Sequence, residues 1–198
     1  IRSSAIEDIE HVVQLLRPMS DAGIPVYAVL GNHDRATAPL ARSRATILRD
    51  ALTSAGIRVL TDEAVRLASN KSDLWLVGLT SEKARQAARA AAFVQLPPNA
   101  ARVVLMHNPE RFEELPAGAA PLALAGHTHG GQVRLPFLLL RRLLGRVHGK
   151  ARPLSGWMEN PGAPGNRLYV NRGIGFSRLP LRFNAPPELT FVTLRRAS

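Results

Sequence analysis

Three times in this chain an apolar run of strand length delivers a histidine into a polar loop. IPVYAVL (24–30) runs into GNHDR, ARVVLM (101–106) into HNPE, and PLALA (121–125) into GHTHGGQ. Runs this short, bounded by glycine, proline and asparagine, read as buried strands rather than helices. Helical spacing surrounds them. Ile6, Ile9, Val12, Val13 and Leu16 precede a stop at Gly23, a second helix over 38–56 ends at Gly56, and a third over 81–96 halts at Pro97-Pro98. IRVL (57–60), AVRLAS (64–69), DLWLVGLT (73–80), NRLYVNRG (166–173) and PELTFVTLRR (187–196) are further expected strands, and RFEEL after Pro109 a short helix. Such an order predicts a layered α/β fold, which gathers strand-end loops along one sheet edge. His33, His107, His127 and His129 are therefore expected to converge.

The chain has no cysteine, so a metal here must be held by His, Asp, Glu or Asn. Imidazole suits Zn, Fe, Mn and related ions. In GHTHGGQ the two histidines stand two apart, and extended backbone would point them to opposite sides. The loop must turn to aim both inward, and Gly126, Gly130 and Gly131 permit that turn. A plain glycine-rich turn with two exposed histidines is the alternative. In GNHD, Asn32 can offer a carbonyl oxygen to a hard cation. His33 can donate a proton, with Asp34 orienting the ring and raising its pKa. Gly-Asn is also a common turn pair, so this motif alone leaves a structural turn open.

GNHD, then a strand into MHNPE, then GHTHGGQ resembles the calcineurin-like metallophosphoesterase superfamily in motif order and strand-end placement. GHTHGGQVRLPF and YVNRGIGFSRLPLRFNAPPELTFVTL resemble its bacterial YkuE/YaeI-like branch, which is related to the UDP-2,3-diacylglucosamine pyrophosphatases. The resemblance runs from about Pro25 to Leu194. It implies a sandwich of two mixed β-sheets flanked by helices and a hydrolase of phosphodiester or pyrophosphate bonds. It implies two divalent cations (Mn, Fe, Zn, Mg or Ni), with Asn32, His107 and His127 as ligands of one and His129 of the other. His33 matches the residue that protonates the leaving group or steadies the phosphoryl oxygens, with Asp34 behind it. A hydroxide bridging cations about 4 Å apart would attack phosphorus in line. The family's earlier D-x-H and G-D-x-x-D motifs, which bring the bridging Asp, have no match here. Asp8 and Asp21 lie in or beside the first helix. The chain is therefore expected to be one domain over residues 1–198 that lacks its first strands, and to hydrolyse poorly by itself.

With 26 Lys and Arg against 15 Asp and Glu, the formal charge is +11, which favours anionic partners. VRLPFLLLRRLLGRVHGKAR (133–152) reads as a basic, apolar insert that either lies on an anionic membrane surface or packs on the protein's own core. Arg134, Arg141, Arg142 and Arg172 are candidate contacts to substrate or membrane. The expected partner is a phosphorylated small molecule or a lipid-linked substrate, with a peripheral position at a bacterial cytoplasmic membrane. The other reading is a non-catalytic module that binds anionic membrane and carries a degraded metal site. Nucleic acid is not expected, because aromatics are 5% of the chain and are not interleaved with the basic residues.

Overall fold

The computed structural model describes residues 6–35, 44–67, 73–81, 86–134, 154–177 and 179–195. Eight strands and three α-helices are assigned among them. α1 is Ile6–Asp21, β1 Val26–Val29, α2 Arg44–Ser54, β2 Ile57–Leu60, β3 Glu63–Leu67, β4 Leu74–Leu79, α3 Gln86–Val94, β5 Ala101–Met106, β6 Ala123–Ala125, β7 Gly156–Glu159 and β8 Arg167–Val170. A six-stranded mixed sheet runs in the order β3-β4-β5-β6-β8-β7, and β1 and β2 form a separate parallel pair. β4, β5, β6 and β8 are parallel neighbours, while β3 and β7 close the two edges antiparallel. This is the expected α/β architecture.

Residue parity sorts the layers. In β4, β5 and β6 the side chains of Val77, Leu79, Val104, Met106, Ala123 and Ala125 enter one cluster with Ala92 and Leu96 from the α3 side and with Phe112. Their neighbours in sequence, Leu76, Val103, Leu105 and Leu124, face the other way onto Tyr27 and Val29 of β1 and Leu60 of β2. Successive side chains of a strand alternate faces, so a strand covered on both sides must be apolar throughout. That is why these strands read as unbroken apolar runs. On the far side of β1 and β2, Ile9 of α1 packs with Leu48 and Leu52 of α2 and with Ile57 and Val59. The small sheet is thus sandwiched between the large sheet and two helices.

Among the described residues the strands and helices fall where the sequence places them, with two exceptions, while residues 38–43, 68–69 and 82–85 of the expected elements lie outside them. Residues 187–195 form no strand. Leu189, Phe191, Val192 and Leu194 are all exposed, and an alternating apolar pattern makes a strand only where a neighbour supplies the ladder. Conversely, β7 is a strand that the sequence did not reveal. The segment GWME holds no β-branched residue, and its place comes from pairing with β8 and from Trp157 stacking edge-on against Tyr169 at 5.1 Å. Most of the basic insert, including Arg141 and Arg142, lies outside the described residues. No helix among the described residues is long and apolar enough to cross a membrane.

Phe112 sits fully buried in the 3-10 turn Pro109–Glu114, directly after the loop that carries His107. Phe112→Ala should cost about 3–5 kcal/mol of unfolding free energy, read from the shift in urea midpoint at unchanged slope.

Candidate functional site

Parallel strands that share a register end together. β5 stops at Met106 and β6 at Ala125, and one further backbone bond, Gly126 N–H to His107 O at 3.2 Å, carries the pairing into the two loops. β1 ends at the same edge and leads through Leu30 and Gly31 into the 3-10 turn Asn32–Arg35. His107 Nε2 lies 2.9 Å from Asn32 Oδ1 and 3.0 Å from His127 Nδ1. The two imidazoles meet edge to face, with ring centroids 4.8 Å apart. Asn32, His33, Asp34, His107, His127 and His129 all line a single cavity of about 400 Å³, which reaches core residues of the two helices over the small sheet, among them Val12, Leu16, Leu48 and Leu52.

Close approach explains the glycine of GNHD. A Cβ on Gly31 would sit 2.8 Å from His107 Cε1, so any side chain there would drive the His107 ring away from Asn32. Asp34 shapes the same turn, its Oδ2 accepting the Gly31 N–H at 2.7 Å.

The second histidine pair pays for its aim in backbone strain. His127 and His129 both adopt left-handed conformations, φ 72° and 52°. Each such residue costs on the order of 1–3 kcal/mol and persists only where its surroundings hold it. The glycines share the turn unequally: Gly130 and Gly131 have positive φ, whereas Gly126 does not. Thr128 braces the turn, its Oγ1 donating to Leu154 O at 2.6 Å and accepting from Gly130 N. The His129 ring points its Nδ1 at Gly175 O, 3.4 Å away.

Burial lowers the pKa of all three loop histidines. His107 falls furthest, to about 4, through burial first and then the charges of His127, His129 and His33. Neutral imidazole nitrogens beside an amide oxygen are the donor set that borderline divalent cations accept. Among the described residues, no three His, Cys, Asp or Glu side chains form a group able to hold a metal ion. The third donor beside the His107–His127 pair is the Asn32 amide, and the His129 ring is turned to a carbonyl.

Of the four arginines named as candidate contacts, Arg172 and Arg134 lie among the described residues. Arg172 Nε pairs with Glu188 Oε2 at 2.8 Å, and its aliphatic stem covers Gly130. Arg134 turns back on its own loop, bonding Gly130 O and Ser155 Oγ. Sequence reasoning passed over Gln132 and Arg182, which tie the histidine loop to residues 172–185.

No family model matches the chain. It is similar to phosphodiesterase YaeI of Escherichia coli, with 34% identity over 181 residues that cover 91% of this chain and 62% of YaeI. Metallophosphoesterase YkuE of Bacillus subtilis is 38% identical over 95 residues, 47% of this chain and 30% of YkuE. The UDP-2,3-diacylglucosamine pyrophosphatase LpxG of Chlamydia trachomatis is 30% identical over 116 residues, 58% of this chain and 35% of LpxG. The chain thus spans less than two thirds of the length of each of these relatives.

His107 supplies a pH signature. Its folded pKa lies below the ordinary 6.5, so the neutral ring contributes stability that is fully present above 6.5 and is lost as pH falls towards 4. In metal-free protein the His107 imidazole signal should titrate near pH 4. His107→Gln should flatten the acid side of a plot of urea-derived stability against pH. An ordinary His107 titration near 6.5 would contradict the burial and clustering described here.

Proposed function

Since the chain is a metallophosphoesterase relative in the branch of YaeI and YkuE, we propose that the complete protein hydrolyses a phosphodiester or pyrophosphate bond with two divalent cations. The observation that carries this reading is the meeting of Asn32, His107 and His127 within about 3 Å at the ends of three strands, inside one cavity with His33 and His129. In this reading Asn32, His107 and His127 hold one cation and His129 contributes to the other. When bound, such cations neutralise charge developing on the phosphoryl group and lower the pKa of water. Mn, Fe, Zn, Mg and Ni are all compatible with imidazole and amide donors, and availability decides among them.

The remaining residues divide the work. His33, exposed at the rim of the cavity, donates a proton to the departing oxygen or hydrogen-bonds the phosphoryl group. Asp34 holds the turn that presents it. The charge of +11 favours an anionic substrate. A lipid-linked or nucleotide-linked phosphate fits that charge, and LpxG is named for such a compound.

Residues 1–198 supply three donors to one cation and one to the other, with no D-x-H or G-D-x-x-D motif to add a bridging carboxylate. We therefore assign them to a single domain whose catalytic power depends on carboxylates outside this stretch. Two outcomes follow. In the complete protein, His33→Ala should lower kcat by about 10²–10⁴-fold while leaving metal content unchanged, measured with a chromogenic phosphodiester and by elemental analysis. Wild-type turnover by that variant would remove His33 from the chemistry. Residues 1–198 alone should show only background hydrolysis in Mn²⁺, and robust metal-dependent turnover by them would overturn the requirement for additional carboxylates.

A further inference from the structure

All five N–H donors of the Arg182 guanidinium end on backbone carbonyls. Nε donates to Gly175 O at 2.8 Å, one terminal nitrogen to His129 O at 3.1 Å and Ala185 O at 3.0 Å, and the other to Arg172 O at 2.9 Å and again to Gly175 O. Five bonds exhaust what an arginine can give. None of these acceptors is a carboxylate. A half-buried cation committed entirely to carbonyls fixes the path of the backbone, and here it joins the histidine turn, the loop after β8 and the backbone at Ala185.

Two of the four carbonyls bear on one ring. The first belongs to His129 itself, whose φ of 52° needs external support. The second, that of Gly175, faces His129 Nδ1. A carbonyl oxygen only accepts, so Nδ1 carries the proton and the Nε2 lone pair is left for a cation. Gln132 steadies the same loop from the other side. Its Oε1 accepts Ser177 N–H at 2.6 Å, and its Nε2 donates to Ser177 O at 2.9 Å and Leu179 O at 3.0 Å.

We propose that Arg182 is the positioning residue of His129: by holding the His129 and Gly175 carbonyls together it fixes the ring's direction and tautomer, and so presents Nε2 to a divalent cation. This rests on the reading of His129 as a cation ligand. Partners in the shell behind a metal-binding histidine commonly change metal affinity about 10–100-fold. Lysine cannot replace this arginine fully, because three donors on a point charge do not span four carbonyls.

The test uses the complete protein labelled with ¹⁵N-histidine. In the metal-free wild type, long-range ¹H–¹⁵N spectra should show His129 as the Nδ1–H tautomer. In Arg182→Met the His129 signals should become those of a tautomer mixture while His107 and His127 keep theirs. Zn²⁺ should bind at the weaker of its two sites about 10–100-fold less tightly, by calorimetry. Arg182→Lys, which retains the charge and so guards against a variant that fails to fold, should move the same signals less far. A folded Arg182→Met or Arg182→Lys protein with wild-type His129 signals and unchanged Zn²⁺ affinity overturns the proposal. His129→Ala separates the layers of the argument: if it leaves Zn²⁺ stoichiometry and affinity unchanged, His129 is no ligand, and the assignment beneath the proposal falls whatever the tautomer.

Discussion

The site depends on one hydrogen bond past the end of a β-ladder. With Gly126 N–H on His107 O, the first loop residue after β5 is locked beside the first after β6. A one-residue slip of β6 against β5 would turn each side chain of the slipped strand from one packed face of the sheet to the other. The core clusters on the two sides of the sheet therefore enforce the spacing of His107 and His127 as strictly as any contact between the rings. Function at a strand end inherits its precision from packing beneath it.

The loop itself runs against local preference. Two histidines in left-handed backbone are strained, and the strain is offset by polar ties to carbonyls distant in sequence. Thr128 reaches Leu154, Gln132 reaches Ser177 and Leu179, and Arg182 collects carbonyls from both sides. Glu188 anchors the outer end, accepting from Tyr169, the Arg172 backbone and guanidinium, and Thr190. Burial raises the Glu188 pKa, yet those hydrogen bonds outweigh it and hold the carboxyl at about 2. The described residues between 172 and 190 form no regular strand, but they are knitted to the site through side chains.

How much of this was legible in the sequence follows from the physics of each element. Strands buried on both faces advertise themselves as apolar runs, so β1, β2, β4, β5 and β6, with their histidine loops, were readable. β7 was not, because an edge strand of Gly, Trp, Met and Glu draws its order from its partner. Residues 187–195 misled in the opposite direction, since they have the pattern without the neighbour. The turn in GHTHGGQ was foreseen, but placing it on the glycines overlooked that His127 and His129 themselves take left-handed φ. Arg182 was invisible for a deeper reason. One arginine among many basic residues has no distinguishing spacing, and backbone carbonyls, its acceptors, leave no mark on a sequence.

The donors also come from both layers of the sandwich. Asn32 and His33 follow β1 of the small sheet, while His107 and His127 follow β5 and β6 of the large one. Among the described residues no backbone ladder joins those sheets; they meet through Leu60, Val65, Leu76 and Val103 and the half-buried residues around them. A cation taken up by Asn32 and the two histidines would therefore link two separately hydrogen-bonded layers. Binding that favours the folded state adds RT ln(1 + [L]/Kd) to its stability, and here that term would act across the interface between the sheets. The acidic pKa shift of His107 works in the same direction, because a ring that stays neutral at ordinary pH needs no proton removed before it binds.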